Sequence, residues 1–265
     1  LPFSMTAPLH SIRIILVEPA GALNIGAVAR VMKNMALQQL VLVQPRCNHL
    51  GEEARLMAVH APEILEAARV VETLPQALVG CQRAIAATGR PHTPTFTLEH
   101  PRQVLPWLLA PTAPGSESAL IFGPEDRGLN NAELNYAQRL VYIPANPTYP
   151  SLNLSQAVAI CCYELYQSCT SQMQTEQQAE CPTAPAANTS TASLDQLEGF
   201  YQQLEMLLLD VGYLYPHTAN SRMHKLRRLL HRAMPTAEEV TMLRGVLSQM
   251  RWAIEQRQKV PPKQE

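Results

Sequence analysis

The sequence predicts an α/β protein, a mostly parallel sheet flanked by helices, followed by a small α-helical C-terminal extension. Three observations predict it. Over the first two thirds of the 265 residues, short apolar runs alternate with longer segments of helical spacing, the pattern of a sheet built through helical crossovers. A hydrophobic content of 46% supplies one full-sized core and a smaller second unit. Near residue 168 the composition changes, and apolar periodicity resumes only at residue 194.

In chain order, Ile12–Val17 is the first predicted strand. Asn24–Met35 follows with apolar residues at three- and four-residue spacing, as a helix packing onto a sheet requires. Leu40–Val43 is the next strand, Pro62–Ala68 the next helix, and Arg83–Thr88, Ala119–Phe122 and Leu140–Ile143 are further strands. Leu154–Gln167 is the helix behind the last of them, so residues 1–168 form one α/β domain. Residues 169–193 are rich in Gln, Thr, Ala and Ser and almost devoid of large apolar side chains, so burial cannot offset their ordering entropy and a flexible linker is expected. In residues 194–265, the segments Leu194–Leu214, Ser221–Ala233 and Thr236–Gln256 carry helical periodicity and predict a helical domain or hairpin. On the middle one, Met223, Leu226, Leu229 and Leu230 are expected to share one helical face, with Arg222, Lys225, Arg228 and Arg232 on others.

The formal net charge of −1 excludes a protein that coats nucleic acid along its whole surface, so any RNA contact must be local. The charge is unevenly spread. Leu194–Pro216 holds four acidic residues and no Lys or Arg, whereas His217–Lys259 holds nine basic residues against three acidic. The basic charge concentrates in SRMHKLRRLLHRA, either a solvated helix face or a phosphate contact. The six cysteines form no C-x-x-C pair, so neither a zinc framework nor a redox motif is visible, and reduced, mostly buried thiols are expected. The start LPFSMTAP has neither a basic nor an apolar signal region, and no run of about 18 apolar residues follows, which predicts a cytoplasmic protein without a membrane span.

Three segments carry chemistry. VEPAGALNIGAVARVMKNM, from Val17, follows a strand and opens a helix; Gly21 and Gly26 stand five apart, but no Lys-Ser/Thr follows and G-x-G-x-x-G is missing, which argues against an NTPase and a dinucleotide oxidoreductase. Asn24 is placed to cap that helix. ALIFGPEDRGLNNAEL, from Ala119, sets a glycine-bracketed acidic loop at the carboxyl end of a buried strand, where α/β sheets bind ligands. Gly123 and Gly128 there permit close backbone approach to a ligand, and Glu125 is a polar anchor; a tight turn capping the next helix is the plain alternative. In VYIPANPTYPSLNLSQAVAICCYEL, three prolines stiffen a loop after a strand, and Ser151, Asn153 and Ser155 precede an apolar helix. One such residue suffices for a cap, so three suggest a site for a polar ligand.

Together these segments resemble the three motifs of the SPOUT superfamily, in particular its SpoU branch of RNA 2′-O-ribose methyltransferases. The match is N-x-G-x-x-x-R at Asn24–Arg30, F-G-x-E-x-x-G-L at Phe122–Leu129, and I-P followed by S-L-N-x-S at Ile143–Ser155. The resemblance spans Arg13 to about Gln167. The segments LEMLLLDVGYL, MHKLRRLLHRA and EEVTMLRGVLSQM look like the C-terminal extension of the TrmJ-type tRNA methyltransferases, which modify the ribose of nucleotide thirty-two in the anticodon loop.

The resemblance implies a deep trefoil knot formed by the second and third motifs, S-adenosylmethionine as methyl donor, no metal, and a homodimer whose site borrows Arg30 from the partner chain or lies close to the subunit boundary. The donor would meet backbone near Thr88, Gly89, Arg90, Gly123, Ile143, Ser151 and Leu152. Asn24, Glu125, Ser151 and Asn153 would hold the ribose, Arg30 and the loops in position, and Arg222, Lys225, Arg227, Arg228 and Arg232 would contact tRNA. Arg30 would activate the ribose hydroxyl. A guanidinium has a pKa above about 12, so either its environment deprotonates it, or it stays charged and orients the hydroxyl beside a phosphate that takes the proton. Two further readings stand beside this one: an rRNA substrate, and a non-catalytic RNA-binding protein of the same fold.

Overall fold

The computed structural model describes residues 7–89, 97–110, 116–176 and 191–259. The chain divides into two compact units, Leu1–Ala187 and Asn188–Glu265.

In the first unit the described elements run α1 (Ala7–His10), β1 (Ile12–Val17), α2 (Ala22–Asn34), β2 (Gln39–Val43), α3 (Glu52–Ala58), α4 (Pro62–Glu66), β3 (Arg69–Val71), α5 (Leu74–Leu78), β4 (Cys81–Thr88), β5 (Leu98–Glu99), α6 (Pro101–Val104), α7 (Pro106–Leu109), β6 (Glu117–Phe122), α8 (Asn131–Leu134), β7 (Arg139–Tyr142) and α9 (Leu154–Glu176). The strands form a seven-stranded sheet in the order β3-β2-β1-β6-β4-β7-β5, and every pairing is parallel. All six residues of β1 are buried, as expected of a central strand with helices over both faces. Because the strands run the same way, the segments after β1, β4, β6 and β7 emerge at one edge. Leu16, Ile25, Val28, Met32, Leu42, Ile85, Leu120, Val158 and Leu165 belong to the core beneath that edge.

The five expected strands are present, with bounds shifted by at most two residues. Two were not foreseen. β3 has three residues, two of them exposed, and β5 has two, so neither carries an alternation long enough to read. Helix α9 corrects the expected linker start, since it continues through 169 to Glu176. There the Ser168 hydroxyl donates to the Glu164 carbonyl at 2.7 Å, the Thr170 hydroxyl to the Tyr166 carbonyl at 3.1 Å, and Cys169 is buried. Hydroxyls that bond one turn back are compatible with a helix, although their composition reads as linker. The rest of the expected linker, to residue 190, lies outside the described residues.

The second unit holds α10 (Leu194–Asp210), α11 (Pro216–Ala233) and α12 (Ala237–Lys259). Gln196 closes a capping box by accepting from the Ser193 amide at 3.0 Å, and the Ala192 amide donates to the Pro235 carbonyl at 2.8 Å. Leu197, Phe200, Tyr201, Leu207, Leu214, Met223, Val240 and Leu247 are buried. Two expectations for α11 are corrected. Leu229 is 53% exposed. Arg227 instead turns inward: its guanidinium pairs with both Glu198 oxygens at 2.5 and 2.9 Å and lies 4.4 Å from the Tyr201 ring centre. The cause is helical pitch. Counting from Ala219 and Met223, positions 227 and 230 continue the inner face and position 229 falls outside it.

Candidate active site

The site begins where β1 ends. Glu18 takes a left-handed conformation at φ +45°, turning the chain so that the Ala20 and Gly21 amides point toward the second motif. Glu125 receives them: its Oε2 accepts from the Ala20 amide at 3.0 Å, and its Oε1 from the Gly21 amide at 3.1 Å and from Asn24 Nδ2 at 2.8 Å. Asn24 therefore corrects the cap expectation. Gly21 occupies the α2 cap position, and the Asn24 side chain reaches sideways to other loops.

The third motif joins the same chain of bonds. Asn153 Nδ2 donates to Asn24 Oδ1 at 3.0 Å, while Asn153 Oδ1 accepts from the Ser155 amide at 2.8 Å and the Ser155 hydroxyl at 2.7 Å. The Asn153 amide donates to Gln156 Oε1 at 3.3 Å. Asn153 thus caps α9 and fastens it to α2 through one amide, with Ser155 satisfied locally. Burial opposes charge on Glu125, but the amides of Ala20 and Gly21 and the Asn24 side chain outweigh it and hold the carboxyl below its ordinary pKa.

Two glycines of the motifs owe their place to packing. A Cβ on Gly26 would lie 2.1 Å from the Ala54 carbonyl, so only glycine lets α2 approach α3. A Cβ on Gly123 would lie 2.3 Å from the Leu129 amide, so the loop's own returning backbone also requires glycine there.

Charged pairs fasten that loop from outside. Arg127 makes two 2.9 Å bonds to the Glu133 carboxylate and lies 3.3 Å from Glu18, and Arg46 bridges both Asp126 oxygens at 3.2 and 3.3 Å and the Glu18 carbonyl at 3.1 Å. The Asn130 side chain accepts from the Glu133 amide at 2.9 Å, capping α8. The sequence reading missed these residues. Asp126 and Arg127 lay inside a motif that it quoted; nothing in sequence spacing links Arg46 to them.

Between these loops, at the carboxyl ends of β4, β6 and β7, lies a cavity of about 310 Å³. Thr88, Gly89, Gly123, Ile143, Ser151 and Leu152 line it, together with apolar Phe122, Leu129, Val141, Leu154 and Ala157 and with polar Glu125, Asp126 and Arg127. Of the residues expected at a donor site, Arg90 lies outside the described residues and the other six are here together. An apolar slot of this size, bordered by backbone of three loops and by carboxylates, fits a ligand that combines a flat heterocycle, a ribose and a cationic chain. Asn24 and Asn153 stand behind the lining. Arg30 is exposed on α2 and is not among the residues lining the cavity, because six residues of helix turn it about 120° away from Asn24. Among the described residues no group of three or more His, Cys, Asp or Glu is arranged to hold a metal, and no helix is long and apolar enough to cross a membrane.

Residues 11–163 match the SpoU rRNA Methylase family, and the chain belongs to it. Residues 195–260 match the C-terminal domain of the tRNA methyltransferase TrmJ. Over 242 residues the chain is 38% identical to the tRNA (cytidine/uridine/adenosine-2'-O-)-methyltransferase TrmJ of Pseudomonas aeruginosa (strain UCBPP-PA14), covering 91% of this chain and 94% of that one. Over 241 residues it is 40% identical to the tRNA (cytidine/uridine-2'-O-)-methyltransferase TrmJ of Pectobacterium atrosepticum, covering 91% and 96%. The crystal structure of TrmJ from Z. mobilis ZM4 superposes with a TM-score of 0.77 at 30% identity, covering 90% of this chain and 98% of that one.

Proposed function

We propose that this protein is a cytoplasmic, homodimeric tRNA methyltransferase that transfers a methyl group from S-adenosylmethionine to a ribose 2′-hydroxyl, at nucleotide thirty-two of the anticodon loop. The observation that carries the proposal is the convergence of three loops, distant in sequence, on one cavity through the Glu125–Asn24–Asn153 chain of hydrogen bonds. S-adenosylmethionine, when bound, supplies an electrophilic methyl group on a sulfonium.

The rest is the work of this chain's residues. Thr88, Gly89, Ile143 and Leu152 offer backbone polar atoms along an apolar slot, which orients a purine and its ribose, and Phe122, Leu129 and Leu154 exclude water. Gly123 and Ser151 complete the donor rim. Glu125, Asn24 and Asn153 keep the loops from shifting relative to one another, so alignment of nucleophile and donor is fixed in advance. The Arg30 side chain makes no hydrogen bond or ion pair among the described residues, which leaves its donors for a substrate hydroxyl and phosphate. Since it does not line the cavity of its own chain, it acts across the dimer; since a guanidinium is a poor base, it orients the 2′-hydroxyl and the phosphate takes the proton. The trefoil knot implied by the sequence resemblance would use the β6–α8 and β7–α9 loops, both of which line the cavity. Arg222, Lys225, Arg228 and Arg232, all exposed, contact the tRNA backbone.

Incubating tRNA and rRNA with labelled donor and locating the methyl group by mass spectrometry of nuclease digests tests the proposal. It expects a 2′-O-methylated pyrimidine at one anticodon-loop position; label confined to rRNA contradicts the substrate, and no label contradicts the activity. Arg30→Ala should abolish turnover while donor affinity, measured by calorimetry, is retained.

A further inference from the structure

Helix α10 is followed by the short turn VGYLY, residues 211–215. Leu214 is buried and its amide donates to the Leu208 carbonyl at 2.9 Å, which anchors the turn to the helical core. The residues on either side of that anchor face outward: Tyr213 is 57% exposed and Tyr215 54% exposed. Neither ring is loose. Arg222 donates to the Tyr213 carbonyl at 2.7 Å and its guanidinium stands 5.4 Å from the Tyr213 ring centre. Tyr215 stacks on His217 with ring centres 5.9 Å apart and planes 23° apart.

The chain that follows exposed Asp210 is basic. From Val211 to Thr236 the sequence contains no acidic residue. Arg222, Lys225, Arg228 and Arg232 are exposed along α11, a stripe that starts beside Tyr213 and extends about 15 Å at the rise of an α-helix. Exposed tyrosines held rigid by an arginine and a histidine, at the head of a cationic stripe, meet the two requirements of single-stranded RNA: a flat surface for an unstacked base, and positive charge for its backbone. Exposed aromatic surface alone would suit a protein partner, but it would not call for four cations in line with it.

We infer that Tyr213 and Tyr215, with Arg222 and His217, form a stacking platform that takes an unpaired base of the RNA while the α11 stripe holds the adjoining phosphates. The inference rests on the RNA-methylation reading and adds to it a mode of recognition. The platform accepts any base, because every base offers a π face, so it selects for an open loop and not for a sequence.

The test uses the full chain and an anticodon stem-loop RNA carrying 2-aminopurine in its loop. Binding to the unaltered protein quenches the fluorescent base. Tyr213→Leu and Tyr215→Leu each weaken RNA affinity about tenfold and reduce the quench, with an unchanged slope of affinity against salt. Tyr213→Phe and Tyr215→Phe keep both affinity and quench. Leucine variants that bind and methylate like the unaltered protein overturn the platform and leave the methyltransferase reading intact. Phenylalanine variants as weak as the leucine ones overturn it too, because the hydroxyl and not the ring would then matter. A change confined to the protein's mass in solution assigns the tyrosines to self-association and also overturns it. An unaltered protein that neither binds nor methylates any RNA refutes the underlying reading as well.

Discussion

The arginines that brace the cavity of the first unit and the cations exposed along α11 do opposite work. Around the cavity of the first unit they are locked: Arg127 to Glu133 and Glu18, Arg46 to Asp126, and, farther off, Arg102 to Glu164. Their charge is spent on holding protein loops in one geometry. On α11 Arg227 is used that way, with Glu198, whereas Arg222, Lys225, Arg228 and Arg232 lie exposed along the helix. The difference separates positioning from recognition. A donor site needs alignment, which comes from paired and hydrogen-bonded groups, whereas a phosphate contact needs charge within reach of a ligand that arrives from solution.

The comparison predicts a graded series of effects. The largest falls on the polar chain of the site. Glu125→Ala leaves the Ala20 and Gly21 amides and the Asn24 side chain without their acceptor, and kcat for methyl transfer should fall about 100-fold or more, measured with labelled donor and saturating tRNA. Retained turnover would break the positioning role. Because the folded pKa of Glu125 lies below its unfolded value, its contribution is present above the unfolded pKa and is lost only as pH falls through the folded one. Donor binding should therefore carry no acid limb from this group at pH 5 and above, as calorimetry across pH would show.

Next comes Arg227→Ala, which leaves Glu198 mostly buried without its partner, the two side chains being 13% and 17% exposed. It should cost about 3 kcal/mol of stability, seen as a lowered denaturation midpoint. Lys225→Ala, at an exposed position two residues earlier, should leave that midpoint unchanged. Asn153 sharpens the contrast within the site. Asn153→Ala should cost about 1 kcal/mol through the lost α9 cap and lower turnover about tenfold, whereas Asn153→Asp keeps the cap, loses the donor to Asn24, and should lower turnover at an unchanged midpoint. The smallest effect belongs to the stripe. Lys225→Ala or Arg228→Ala should weaken tRNA binding severalfold and reduce the salt slope by about one each, without changing turnover at saturating RNA.

Much of the first unit was legible because it is built from long, buried, periodic segments. β1 and α2 announce themselves through unbroken apolar patterning, and the cavity's lining follows from motifs quoted whole. What escaped has identifiable causes. β3 and β5 are too short to carry a period. The continuation of α9 past residue 169 hides in Ser and Thr whose hydroxyls bond backward. The role of Asn24 as a cross-link was invisible because a cap needs only local sequence, while its true partners lie in Glu125 and Asn153, 101 and 129 residues away. In the second unit the basic cluster was plain, but the sorting of Arg227 from Arg228 depends on a 100° step of helix, and the tyrosine pair drew no notice because nothing in composition marks an aromatic as exposed.

A crystal structure of the protein with S-adenosylhomocysteine tests the central claim most directly. The account predicts its adenosine between Thr88–Gly89, Ile143 and Ser151–Leu152, with Glu125 still bonded to Asn24 and the ligand's sulfur facing open space at the rim. Ligand density elsewhere on the chain, or a Glu125–Asn24–Asn153 chain that must break to admit the ligand, would contradict it.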